Sequence, residues 1–199
     1  MSNKPSASVA VRTESPLNQI DFSPVSIKSH GLTMTERAFL GHVNVRGNSE
    51  SQAFMAAMQA VLGVALPTHA NTLVSTESVT ALWIGPDEWW VLIQSDVASF
   101  IQQCHDALGD EPSLVTDVSG GFTAIDISGD RARDMMKKAT PLDAHPREFA
   151  LGQCASSVFA HASATFYLVD EAPTYRVLVR RSFADYIGHW LLDAVREFA

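Results

Sequence analysis

The chain has 199 residues, 46% of them hydrophobic and 18% charged, a composition that supports a sizeable core and excludes a disordered or low-complexity protein. Its formal net charge of −8, with no Lys/Arg run, repels phosphate backbones and argues against a nucleic-acid partner. No apolar stretch of about 18 residues offers a membrane span, the N-terminus lacks the apolar segment of a signal peptide, and Cys104 and Cys154 form neither a C-x-x-C pair nor a disulfide framework. The expectation is a cytoplasmic protein with two buried, reduced cysteines.

Residues 1–24 are rich in Ser, Pro, Asn and Lys and show no periodicity, so they read as an arm outside the core, ordered only against something else. "HVNVRG" alternates as a strand does, and "NSESQAFMAAMQAVLG" predicts a helix. Ser49 and Gln52 form its capping box, Phe54, Met58, Val61 and Leu62 its apolar stripe, and Gly63 its stop. "WIGPDEWWVLI" predicts a hairpin turning through Gly85-Pro86-Asp87-Glu88. If Ile84 lies opposite Trp89, then Leu82, Ile84, Trp89, Val91 and Ile93 share one face, and Ala81, Trp83, Trp90 and Leu92 share the other. Both faces are apolar, so the second needs a cover: the other half of this chain, a helix from it, or a different protein. "SDVASFIQQCHDALG" then predicts a helix capped by Ser95 or Asp96, apolar along Val97, Ile101, Cys104 and Leu108, and stopped by Gly109.

The second half repeats this order. "GFTAIDISG" is a strand, "DRARDMMKKA" a helix with Ala132, Met135, Met136 and Ala139 in phase, and "ATFYLVDEAPTYRVLVR" a hairpin looping through Asp170 to Pro173. Phe166, Leu168, Tyr175, Val177 and Val179 make its apolar face, while Thr165, Tyr167, Thr174 and Arg176 make a mixed one that can face water. "RSFADYIGHWLLDAVREF" closes the chain as a helix with Phe183, Ile187, Trp190, Ala194 and Phe198 on its apolar side. The architecture expected is α+β: an arm over 1–24, then duplicated strand-helix-hairpin-helix halves over 25–110 and 111–199, each with an antiparallel sheet faced by helices, in one compact unit.

Chemistry is sparse. The seven histidines make no H-x-x-x-H or H-E-x-x-H pair, so no metal site is expected. Cys104 and His105 are adjacent and point apart on a helix, which is poor geometry for a thiolate and its base. "DVSGG" lacks the G-x-S-x-G form of a nucleophile elbow, so Ser119 reads as part of a turn in which Gly120 and Gly121 take unusual dihedrals. Asp117 and Asp126 flank it as a carboxylate pair that nothing visibly activates, and Arg180-Arg181 reads as a solvated corner. No G-x-G-x-x-G or P-loop fingerprint is present. No catalytic, cofactor-binding or metal-ligating residue is assigned.

The strings "LWIGPDEWWVL", "VTDVSGGFTAIDISGDRARDMMKKATPLDAHPREFALGQCA" and "YRVLVRRSFADYIGHWL", with "SPL" at Ser15 to Leu17, resemble the gamma subunits of heterotetrameric sarcosine oxidases. The resemblance implies a bacterial cytoplasmic oxidase of alpha, beta, gamma and delta subunits. Such an oxidase demethylates sarcosine to glycine, reduces oxygen to hydrogen peroxide and yields methylenetetrahydrofolate. It also implies that FAD, FMN, NAD and tetrahydrofolate belong to the alpha and beta subunits and zinc to delta, with none bound by this chain. The gamma fold is then similar to part of the folate-binding aminomethyltransferase. A binding and assembly role follows, with Trp83, Trp90, Leu92 and Leu17 as interface candidates. The rival reading is a stand-alone folate-binding or aminomethyltransferase-like protein.

Overall fold

The computed structural model describes residues 13–25 and 31–198. Ten strands and four helices follow one another: β1 (Thr33–Glu36), β2 (Gly41–Gly47), α1 (Gln52–Leu62), β3 (Leu73–Ser75), β4 (Val79–Gly85), β5 (Glu88–Ile93), α2 (Val97–Leu108), β6 (Ser113–Asp117), β7 (Phe122–Ser128), α3 (Ala132–Ala139), β8 (Cys154–Phe159), β9 (Ala162–Asp170), β10 (Thr174–Arg180) and α4 (Arg181–Ala194). They build two antiparallel five-stranded sheets, ordered β1-β7-β10-β9-β8 and β3-β4-β5-β2-β6. Read from β6, the second sheet runs β6-β2-β5-β4-β3, the same connectivity as the first read from β1. Neither sheet comes from one half of the chain: β1 is the edge of the sheet built by β7 to β10, and β6 is the edge of the sheet built by β2 to β5.

Three apolar layers result. α3, α4 and residues 13–25 cover the outer face of the β7–β10 sheet, where Ile125, Ile127, Phe166, Tyr175, Val177 and Val179 point outward. α1 and α2 cover the outer face of the other sheet over Val43, Val45, Trp89, Val91 and Ile93. Between the sheets lie Leu73, Leu82, Leu92, Ala124, Cys154, Tyr167 and Leu178. Backbone bonds also join the sheets at one end, from Leu73 N to Gly152 O and from Cys154 N to Asn71 O, both 2.9 Å.

The first hairpin answers the question its two apolar faces raise: the second face is covered by the other sheet of the same chain. Its register differs from the expected one by a residue, because Gly85 pairs with Glu88 and the ladder slips at Ile84, so Trp83 lies opposite Trp89 and Leu82 opposite Trp90. Trp83 therefore joins Trp89 on the helix-covered face, while Trp90 and Leu92 pack toward the other sheet. Trp89 is fully buried, and its indole N–H donates to Pro67 O at 2.7 Å. The second hairpin has the expected register, with Tyr175 opposite Leu168 and Val177 opposite Phe166. Its mixed face meets the sheet built by β2 to β5 instead of water, burying Tyr167, Thr165 and Leu178.

Local signals set the ends of α1 and α2. Ser51, rather than Ser49, caps α1 by accepting from Phe54 N at 3.2 Å, and Gly63 closes it in the left-handed region at φ 72°. Asp96 caps α2 by accepting from Ser99 N at 2.8 Å. On α2 the buried residues are Phe100, Cys104 and Leu108. On α4 they are Ala184, Ile187, Gly188, Leu191 and Ala194, one position round from the expected stripe, which leaves Phe183 exposed. The cause is the N-terminal segment. Leu17, Phe22 and Val25 are buried against this layer, and a Cβ on Gly188 would lie 2.9 Å from Ile20 Cγ1 and 3.0 Å from Leu17 Cδ2. The expectation that the arm lies outside the core is thus corrected for its described part; residues 1–12 lie outside the described residues.

Candidate functional site

The residues with the most chemistry gather where the two sheets meet. Asp126 projects from β7 with its side chain only 6% exposed, and three charge-assisted bonds satisfy it. Arg176 of β10 donates Nε to Oδ1 at 2.7 Å and Nη2 to Oδ2 at 2.8 Å, while Arg37 donates Nε to Oδ2 at 2.6 Å. Strand pairing dictates this meeting, since Arg176 lies directly opposite Asp126 in the β7–β10 ladder. Arg176 Nη1 also donates to the Tyr167 hydroxyl at 3.3 Å. Burial disfavours the Arg176 charge, but the bonds to Asp126 and to the Tyr167 hydroxyl, with the Asp126 charge, outweigh it and raise its pKa. Burial likewise raises the Tyr167 phenol, against a smaller pull from Arg176. With both oxygens engaged, Asp126 is built to hold two arginines, not to accept a substrate proton.

Two adjoining clefts open beside this triad. One, of about 390 Å³, is lined among others by Ser75, Thr80, Gln94, Leu151, Tyr167 and Arg176. The other, of about 260 Å³, is lined by Arg37, Ala38, Phe39, Leu40, Gln94 and Arg176. Phe39 is 68% exposed and holds φ at 60°, a left-handed conformation that costs a non-glycine residue on the order of 1–3 kcal/mol.

The expected catalytic alternatives separate in space and bonding. Ser119 Oγ donates to Asp117 Oδ1 at 2.5 Å and accepts from the His42 backbone N–H at 2.9 Å, so it clamps a corner. No imidazole acts on it: both ring nitrogens of His42 lack a hydrogen-bond partner among the described residues. That ring is 2% exposed, wedged between Trp90 and Phe122 at 4.6 Å each, and burial lowers its pKa to about 4 against a weaker pull from Asp117. Asp117 and Asp126 do not form a carboxylate pair, because one serves Ser119 and the other serves Arg37 and Arg176. Gly120 and Gly121 form a 3-10 turn without positive φ, contrary to the expectation for "DVSGG". Arg180 stacks its guanidinium 5.3 Å above the Phe122 ring, and Arg181 donates to Glu14 O at 3.1 Å. Burial pushes the thiols of Cys104 and Cys154 up to about 11, which leaves both unreactive. Among the described residues, no group of three or more His, Cys, Asp or Glu side chains could hold a metal ion, and no helix is long and apolar enough to cross a membrane.

The interface candidates scatter too. Leu17 sits under α4, Leu92 between the sheets and Trp83 on the helix-covered face, so the first two are buried by this chain itself; Trp90 stays half-buried beside His42. Sequence reasoning missed Arg37, His42 and Phe39. Arg176 and Asp126 carried a readable signal, charges opposed within otherwise apolar strands, but their pairing needed the ladder register.

Two antiparallel sheets packed back to back with helices outside define a mixed α/β fold shared with a solved glycine cleavage system aminomethyltransferase T from Bartonella henselae. That likeness has a TM-score of 0.61 at 10% identity, covers 83% of this chain and 48% of that one, and concerns fold alone. The chain belongs to the family described as "Sarcosine oxidase, gamma subunit family", which matches residues 46–197. It is 35% identical over 167 residues to the sarcosine oxidase subunit gamma of Corynebacterium sp. (strain P-1), covering 83% of this chain and 81% of that protein. The subunit gamma of an Arthrobacter species is 33% identical over 169 residues, covering 84% and 82%. The solved heterotetrameric sarcosine oxidase from Corynebacterium sp. U-96, in complex with pyrrole 2-carboxylate, contains a chain that matches with a TM-score of 0.84 at 28% identity over 94% of this chain and 96% of that one.

Proposed function

We propose that this chain is the gamma subunit of a heterotetrameric sarcosine oxidase and acts there as a binding and assembly element. The observation that carries the reading is the match to a chain of a solved heterotetrameric sarcosine oxidase over nearly the full length of both, together with family membership across residues 46–197. In this reading alpha, beta and delta subunits surround the chain, hold FAD, FMN, NAD, zinc and tetrahydrofolate, and perform the oxidative demethylation of sarcosine in the cytoplasm. The chemistry of the described residues supports that division, since Ser119, Asp117 and Asp126 hold the fold together through each other or through arginine.

The two halves, 25–110 and 111–199, are read as one duplicated unit, and the identical connectivity of the two sheets supports this. The test is co-expression of the tagged chain with its three neighbouring subunits, followed by mass analysis and a sarcosine-dependent hydrogen peroxide assay. A four-subunit, flavin-bearing oxidase is the expected result. A stable monomer that ignores those subunits and binds tetrahydrofolate at micromolar concentration overturns it in favour of a folate-binding protein.

A further inference from the structure

The turn between β1 and β2 presents a feature that the fold of this chain does not use. Phe39 is the most exposed large hydrophobic side chain among the described residues, at 68%, and it holds the left-handed backbone that glycine adopts without strain. Folding gains neither burial nor ease from a phenylalanine there.

The turn is nevertheless rigidly based. Arg37 N donates to Ala124 O at 2.8 Å, the Arg37 side chain is drawn onto Asp126, and Gly41 pairs with Ile93 as β2 begins. The ring forms a wall shared by two clefts. The cleft of about 260 Å³ contains Arg37 and Arg176, and the cleft of about 400 Å³ contains Ser15, Pro16, Ser119 and Arg181. A fixed aromatic projecting from a pinned turn is the form that interface anchors take, because little conformational entropy remains to be lost on docking.

Charge indicates the occupant. Arg37 and Arg176 face one carboxylate, Asp126, and line the cleft of about 260 Å³ with no acidic side chain in its wall, so this cleft carries an excess positive charge in a chain whose net charge is −8, whereas the cleft of about 400 Å³ sets Glu14 and Asp117 against Arg181. Arg37 reaches Asp126 through Nε, and its Nη atoms donate no hydrogen bond among the described residues. We propose that Phe39 and Arg37 form the docking anchor of this chain for another subunit of the oxidase, which offers an apolar socket for the ring with a carboxylate at its rim for the guanidinium. This rests on the subunit reading above.

The test is recovery of the other subunits on a tagged chain after co-expression, with Phe39→Gly, Arg37→Gln and, as control, Phe183→Ser on the exposed side of α4. Phe39→Gly relieves the backbone, so its melting temperature as a free chain should equal or exceed that of the parent, while subunit recovery falls by about tenfold or more. Arg37→Gln should weaken recovery most at low salt, and Phe183→Ser should leave it unchanged. Full recovery with a folded Phe39→Gly chain overturns the anchor while the subunit reading stands. Failure of the parent chain to recover any subunit overturns both. Self-association of the parent chain that Phe39→Gly abolishes also overturns the proposal, by making a second copy the occupant.

Discussion

His42 shows how a single buried group makes stability depend on acidity. Its ring lies between Trp90 and Phe122 without a polar partner among the described residues, and burial holds its pKa near 4, against an ordinary 6.5. The folded chain therefore keeps it neutral where the unfolded chain protonates it. Stability is unaffected above the unfolded value, declines as pH falls from about 6.5 toward about 4, and by then has lost about 3 kcal/mol from this group. His42→Leu should remove that decline. Urea titrations of both proteins at pH 7 and pH 4 check it, and parallel losses in the two would refute it. Asp126 is the opposite case, a buried charge that is fully paired. Asp126→Asn leaves the Arg176 guanidinium, itself largely buried, without its counter-charge and should cost about 3 kcal/mol in urea unfolding. Arg37→Ala should cost well under 1 kcal/mol, because that arginine is more than half exposed.

The elements were legible where local chemistry decides them. Gly63 and Asp96 end or begin helices in the positions their chemistry predicts, and Ala132, Met135, Met136 and Ala139 are all buried on α3 as their spacing requires. Errors arose where a neighbour chose between adjacent faces. α4 turns Ala184 and Gly188 inward because the N-terminal segment needs close approach, a demand invisible in the helix's own periodicity. Gly188→Leu should therefore expel residues 13–25 from α4, with a loss of about 2 kcal/mol and faster proteolysis near Leu17, while the rest of the helical circular dichroism signal persists. The Trp hairpin failed in a similar way. A ladder slip at Ile84 moved Trp83 to the opposite face from the one expected, since a one-residue shift in register reverses a strand's sidedness.

The whole molecule is held together by exchange. Because β1 completes the sheet of the second half and β6 that of the first, either half alone would expose a sheet edge and the inter-sheet layer around Leu82, Leu92, Tyr167 and Leu178. A chain cut between Glu111 and Pro112 should give two fragments that are each unstructured or aggregated alone and regain the native circular dichroism spectrum when co-expressed. Independent folding of either fragment would refute this. The sequence by itself determined the four helices, the strands β2 and β7, the two hairpins, the acidic character and the family strings, because those depend on turn chemistry, capping and short-range periodicity, whereas the strands β1, β3, β6 and β8 carry no such local signal. Only the tertiary structure decided that the second apolar face of the Trp hairpin closes on the chain's own β7–β10 sheet, and that Asp126 meets Arg37 and Arg176. It also decided that His42 is stranded among aromatics and that Phe39 stands exposed under strain. All but the last of these join residues far apart in sequence, and the register and packing that bring them together are set by the burial of the whole core rather than by any local stretch.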